Sequence, residues 1–205
     1  MIGAPGLSGV VFTERSDGDM KSTAGRERLA GTVDIDTNWA TVAQVHGASV
    51  LHASSHGVLG DGDAMWTETP ALPLAVFTAD CLGVAVVSEN AVGVAHAGWR
   101  GCEAGVVRHL VDAMILGGHR PYAAAIGPGI GPCCFEVGPE VVSLFTGHVR
   151  RTSEETPSVD LANAVREQLG PIPVTAIEAC TRHEDRWFSH RADGTAKRLA
   201  TVVWL

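Results

Sequence analysis

Three apolar runs, Leu74–Thr78, Gly83–Val87 and Val92–Ala95, follow one another with only a few residues between them. They are short, rich in Val and Ala, and bounded by turn residues such as Asn90. Apolar stretches of this length with no polar face read as strands buried in a sheet. Chemically active side chains sit at their ends. Asp80-Cys81 lies between the first two runs, and His96 closes the third. A further strand, Trp39 to Val45, leads into His46.

Other strands are predicted at Gly9–Thr13, Ser49–Ala53, Tyr122–Ile126, Val174–Ala179 and Leu199–Leu205. The strongest helix signal runs from Cys102 to Leu116. There Val106, Val107, Leu110, Val111, Met114 and Ile115 recur at three- and four-residue spacing before Gly117-Gly118. Pro139 suits the first turn of a helix to Phe145. Asp160 is placed to cap a helix over Leu161–Leu169. Arg15–Arg26 and His56–Asp63, polar and Gly/Asp-containing, read as loops, and Glu27–Ala30 as the end of a short helix. With no repeat or linker in sight, the pattern predicts one α/β domain over residues 1–205, with mixed β-sheets and flanking helices.

Composition bounds the function classes. At 205 residues the chain is long enough for a substantial core. Its net charge of −8 argues against a general affinity for nucleic acid, while leaving room for a local basic pocket. No apolar run approaches the roughly 18 residues needed to cross a bilayer. Met1–Gly6 lacks the basic start of a signal peptide. The expectation is a soluble, cytoplasmic protein with no membrane partner; its oligomeric state is left open. The 5 cysteines, an odd number with Cys133-Cys134 adjacent, do not suit a disulfide framework and point to thiols used for packing or chemistry.

His46, Cys81 and His96 form a ligand set that zinc favours, and three protein ligands leave a fourth position for water or substrate. The competing reading is three unrelated residues, and residue types alone leave both open. Each, however, adjoins a small residue at a strand edge, where a rigid scaffold can hold a ligand. Gly98-Trp99-Arg100-Gly101, between a strand and the best helix, can present free N–H groups and a guanidinium to an anion; a tight turn with a solvated Arg100 explains it equally well. Asp63 or Asp80 can orient a ligating imidazole or move a proton, with turn capping the simpler role for Asp63. Arg191, in Phe188–Gly194, either adds a second cation to the site or belongs to a polar surface turn. The Gly127–Pro132 loop reads as a rigid turn, and Cys133 and Cys134 as packing residues. His52, His56, His109, His119, His148, His183 and His190 are assigned no role.

Taken in order, Gln44-Val45-His46-Gly47, Asp63-Ala64-Met65, Thr78-Ala79-Asp80-Cys81, His96-Ala97-Gly98-Trp99-Arg100-Gly101, the Ile126–Val137 loop, Asp160-Leu161, Cys180-Thr181 and Phe188-Ser189 with Arg191 resemble the YfiH-like family. This family is also called the laccase-domain or multicopper polyphenol oxidase family, and its members are regarded as purine nucleoside phosphorylases. The sequence departs from the family pattern at Gly83, Gly129 and Trp187–Ala192, and lacks the usual Ser-Leu-Asn-Leu segment before Arg28. The resemblance implies a YfiH-like α/β sandwich with a catalytic zinc on His46, Cys81 and His96. It implies phosphorolysis of adenosine, inosine, guanosine and methylthioadenosine to base and (deoxy)ribose 1-phosphate, plus adenosine deamination. On this reading Arg100, with Arg191, holds phosphate, and Asp80 handles a proton or orients a ligand. A copper-dependent phenol oxidase, a cysteine hydrolase using Cys81 and His96, and a non-catalytic metal or nucleotide sensor are the alternatives.

Overall fold

The computed structural model describes residues 1–205. Strands β1 (Ile2–Gly3) and β2 (Val10–Phe12) precede helix α1 (Thr23–Val33), capped by the Ser22 hydroxyl accepting from the Gly25 N–H. Next come β3 (Ala40–Ala43), β4 (Val50–His52), β5 (Gly57–Asp61), β6 (Ala64–Thr67), β7 (Leu74–Thr78), β8 (Leu82–Val87) and β9 (Val92–Ala97). Helices α2 (Trp99–Glu103) and α3 (Val106–Leu116) lead to β10 (Ala123–Ile126), α4 (Pro139–Leu144) and the hairpin β11 (Val149–Arg151) and β12 (Pro157–Val159). The chain ends with α5 (Leu161–Leu169), β13 (Val174–Ala176), α6 (His190–Asp193) and β14 (Leu199–Val203).

The strands form two six-stranded mixed sheets, ordered β1-β2-β14-β7-β3-β5 and β13-β10-β8-β9-β6-β4, beside the β11–β12 ribbon. Alternation along β8 shows how the layers stack. Val84 and Val86 pack with Leu110 and Met114 of α3 and Val165 of α5, whereas Ala85 and Val87 pack with Phe12, Leu74 and Val76 of the other sheet. Both faces of β8 are therefore covered, which is why its sequence is apolar without alternation. The outer face of the first sheet is closed by Met20, Leu29 of α1 and Trp39, packed on Val11, Ala75 and Val202. The result is an α/β/β/α sandwich. No helix is long and apolar enough to cross a membrane.

Local differences from the sequence pattern have physical reasons. The helix expected over Cys102–Leu116 is two helices, broken where Gly105 takes φ +79°, a left-handed conformation that ends α2 and restarts the chain as α3. The polar stretch 57–61 is strand β5, an edge strand of the first sheet. Its Val58 is 71% exposed and Gly57 and Gly60 have positive φ, so no apolar alternation marks it. Within the expected 15–26 loop, α1 already begins at Thr23, and it runs three residues beyond Ala30, to Val33. The helix over Leu161–Leu169 forms as its pattern predicts, with the Asp160 side chain accepting from the Asn163 N–H at 3.0 Å.

Candidate metal centre

His46, Cys81 and His96 reach one place from two connections and a strand. His46 follows β3 of the first sheet. Cys81 lies where the chain crosses from β7 in one sheet to β8 in the other. His96 sits within β9, opposite Gly83 of β8. Their donor atoms all lie within 4.8 Å of one another. The two imidazoles meet edge to face, with centroids 4.8 Å apart and an 80° interplanar angle.

The approach of the backbone is close. A Cβ on Gly98 would stand 3.0 Å from Cys81 Sγ and 3.3 Å from His46 Cδ2, so the Ala97-Gly98 segment leaves the donors room only as glycine. Two non-glycine residues here carry positive φ, His46 at +61° and Asp80 at +90°. Such conformations cost on the order of 1–3 kcal/mol each and persist where the surroundings over-determine them. The surroundings are visible. Gln44 acts as a short strand partner to Phe77, donating from Nε2 to its carbonyl and accepting from its N–H, both at 2.8 Å. Asp63, 0% exposed, accepts from the N–H groups of Val45, His46 and Gly47.

Asp63 also bonds His96. Its Oδ1 lies 2.7 Å from His96 Nδ1, and a carboxylate can only accept, so Nδ1 carries the proton and donates. The other ring nitrogen, Nε2, is thereby left to face Cys81 and His46, the arrangement that fixes tautomer and ring orientation in metal-ligating histidines. Burial alone would raise the Asp63 carboxyl, but the bonds from His96 and Gly47 hold it below the usual carboxylate value. Burial opposes charge on Cys81 too, yet bonding to His46 and His96 brings its thiol down to about 6. For His96, burial is outweighed by the bonds to Asp63 and Cys81, and its pKa is raised to about 9. The protein's own charges thus favour a thiolate here. A thiolate and two imidazoles from one face, with the fourth direction free of protein donors, fit a borderline divalent ion in an open site.

A cavity of about 730 Å³ adjoins this centre. Apolar walls come from Val42, Val58, Phe77, Ile130 and Phe135, while Lys21, Arg191 and Arg198 bring positive charge to it. On a chain of net charge −8 this is the local basic pocket that composition allowed. Arg191 is held in place: its N–H donates to Asp80 Oδ2 at 2.7 Å and its guanidinium to the Glu136 carbonyl at 3.0 Å. Asp80 Oδ1 accepts from the Thr181 hydroxyl at 2.7 Å.

The structure therefore brings together His46, Cys81, His96, Asp80 and Arg191, but not Arg100. That side chain is exposed, stacks 4.2 Å over the Trp99 ring and does not line the cavity. The expected anion seat at Gly98 loses its helix as well, because α2 is only five residues long. Ligand orientation falls to Asp63 rather than Asp80, whose two oxygens are taken up by Thr181 and Arg191. Lys21 and Arg198 were missed because no local pattern links residues from the two ends of the chain.

The fold and the donor set define an α/β sandwich with a centre suited to a metal ion. Residues 11–205 match the family model described as multi-copper polyphenol oxidoreductase laccase, and the chain belongs to this family. It is 35% identical over 194 residues to a Pseudomonas aeruginosa protein named purine nucleoside phosphorylase, covering 88% of this chain and 78% of that one. A Deinococcus radiodurans protein of the same name is 33% identical over 217 residues, 100% of this chain and 85% of its own. Among solved structures, YlmD from Geobacillus stearothermophilus superposes with a TM-score of 0.86 at 29% identity, covering 98% of this chain and 93% of that one.

Proposed function

We propose that the protein is a zinc-dependent purine nucleoside phosphorylase acting on adenosine, inosine, guanosine and methylthioadenosine, with adenosine deamination at the same site. The observation that carries this reading is the juxtaposition of the three-donor centre with a cavity that has apolar walls and three cations. A purine needs the first kind of surface and phosphate the second. The names borne by the relatives support the same reaction class.

His46, Cys81 and His96 would hold zinc, which supplies Lewis acidity and lowers the pKa of a bound water. Phe77 and Phe135 offer flat faces for the base. Arg191, with Lys21 and Arg198, binds phosphate and presents it to the anomeric carbon, so that the bond to the sugar forms as the bond to the purine breaks. Holding two reactants in line in advance is worth several kcal/mol. Asp80 keeps Arg191 in position through its backbone N–H, and Asp63 keeps His96 turned towards the centre.

Zinc-loaded protein given adenosine and phosphate is expected to yield adenine and ribose 1-phosphate, with inosine as the deamination product. Formation of neither adenine nor inosine overturns the proposal. A second reading has one observation in its favour: Cys81, His96 and Asp63 line up as a thiol, a base and the carboxylate that orients it, as in cysteine hydrolases. Turnover that survives zinc removal and is abolished by alkylation of Cys81 would favour that reading.

A further inference from the structure

Four side chains that the reaction does not use, Cys133 and Cys134 of the double-cysteine loop with Cys180 and His183, meet in space. The sulfurs of Cys133, Cys134 and Cys180 and a ring nitrogen of His183 all lie within 4.8 Å of one another. His183 Nε2 is 3.1 Å from Cys134 Sγ, and its Nδ1 is 3.7 Å from Cys133 Sγ. We propose that these four residues form a second metal site, which takes a zinc-class divalent ion as a closed structural staple between two loops of the cavity.

The donor chemistry is that of structural zinc, with three sulfurs and one imidazole. Bonds of about 2.3 Å to sulfur and 2.0 Å to nitrogen at a tetrahedral ion place the donors roughly 3.5–3.8 Å apart, so the present spacing closes on an ion with small side-chain rotations. The sequence pattern agrees: Cys180-Thr181-Arg182-His183 is a Cys-x-x-His knuckle, and Cys133-Cys134 supplies the other pair. The Gly131 N–H donates to the sulfur of Cys180 at 3.3 Å. Amide donors of this kind hold anionic sulfur at metal sites. All the cysteines are free thiols in the structure.

The two loops are already stitched by backbone. Gly129 and Cys180 form an isolated bridge, and the Thr181 N–H donates to the Gly129 carbonyl at 3.0 Å. From there the connection runs to the cavity. Thr181 bonds Asp80 Oδ1, the Ile130 N–H donates to the Asp80 carbonyl at 2.8 Å, and Ile130 and Phe135 line the wall. Four protein donors would fill a tetrahedral ion and leave no place for substrate, so this ion holds loops together and does no chemistry.

Zinc content and cobalt spectra of the full chain test the proposal. Wild type should carry about two zinc ions per chain, and Cys81→Ala and Cys180→Ala should each lose half of the total. His183→Ala should lose the same ion as Cys180→Ala, and His183→Cys should retain it. Cobalt(II) loaded into Cys81→Ala, with the first centre disabled, should give the intense sulfur-to-metal charge-transfer and tetrahedral ligand-field bands of a multi-thiolate site. That spectrum keeps the test decisive even if Cys180→Ala does not fold. No cobalt–thiolate spectrum in Cys81→Ala, or a single zinc in wild type that folded Cys180→Ala retains, overturns the proposal. So does a Cys180 disulfide to Cys133 or Cys134 with no second ion taken up after reduction.

Discussion

The two groups of donors differ in what holds them. At His46, Cys81 and His96, the sandwich does the work: His96 belongs to a buried strand, is 3% exposed, and has its ring fixed by a wholly buried carboxylate. Cys133, Cys134, Cys180 and His183 all sit outside the two large sheets, on segments joined by a few backbone hydrogen bonds. The first group is organised before any ion arrives and keeps one direction open; the second has enough donors to surround an ion and relies on that ion for its rigidity. Organisation by the core suits chemistry, because a donor that cannot move holds its geometry through a reaction. Asp80 joins the two regions, adjoining Cys81 along the chain and bonding Thr181 beside Cys180.

That contrast can be broken or sharpened by experiment. The largest effect belongs to Cys81→Ala. It should lose the ion of the first centre and lower phosphorolysis by on the order of a thousandfold or more, as several kcal/mol of transition-state stabilisation go with the ion. Compared without metal, the melting temperature should change little from wild type, since Cys81 is not part of the main core clusters; retained activity breaks the distinction between the regions. Next is pH. In the ion-free protein His96 stays protonated up to about 9 and Cys81 is a thiolate above about 6. Between those values ion binding must release the His96 proton, so affinity at the first centre should rise about tenfold per pH unit, and more steeply below about 6 where Cys81 must also lose one. Calorimetry in buffers of different ionisation enthalpy measures the released protons directly; pH-independent affinity across this window contradicts the Asp63–His96 account.

Asp63→Asn should follow, weakening zinc by about 10–100-fold because the amide no longer fixes the His96 tautomer. Competition with a chromogenic chelator reads this out. Arg191→Met should raise the KM for phosphate by roughly 10–100-fold, a charge-assisted bond being worth about 1.5–3 kcal/mol, while leaving zinc content unchanged. The smallest effect on the site is expected from Leu110→Ala in α3. It should cost about 2–5 kcal/mol of stability and leave the kinetic constants of the folded fraction near wild type. A large change in KM there would mean that the helical layer, and not only the strand ends, sets the site.

The sequence was most informative where local physics decides. The unbroken apolar character of β8 and β9 follows from burial on both faces, and the Asp160 cap and the spacing of α5 fix a helix without tertiary help. The strands nearest His46, Cys81 and His96 were legible for the same reason, although β9 continues past His96 to Ala97 instead of ending before it. What escaped depends on distant partners. Asp63 looks like a turn residue until three N–H groups and an imidazole are seen to converge on it. Arg100, next to Gly98, looks like the anion holder, yet its guanidinium stacks on Trp99 while Lys21 and Arg198 come to the cavity from opposite ends of the chain. β5 left no periodic signal because it is an exposed edge. The Cys133-Cys134 pair gave no metal spacing by itself, since its partners lie on the far side of α4, β11, β12, α5 and β13 in sequence.

A shared ion at the first centre is what His46, Cys81 and His96 are arranged to hold, and anomalous diffraction at the zinc edge from zinc-loaded crystals tests that directly. The predicted result is a peak about 2.3 Å from Cys81 Sγ and about 2.0–2.1 Å from a ring nitrogen of both His46 and His96, with His96 Nδ1 still bonded to Asp63 and one coordination position facing the cavity. No peak between those three residues under zinc-saturating conditions would contradict it.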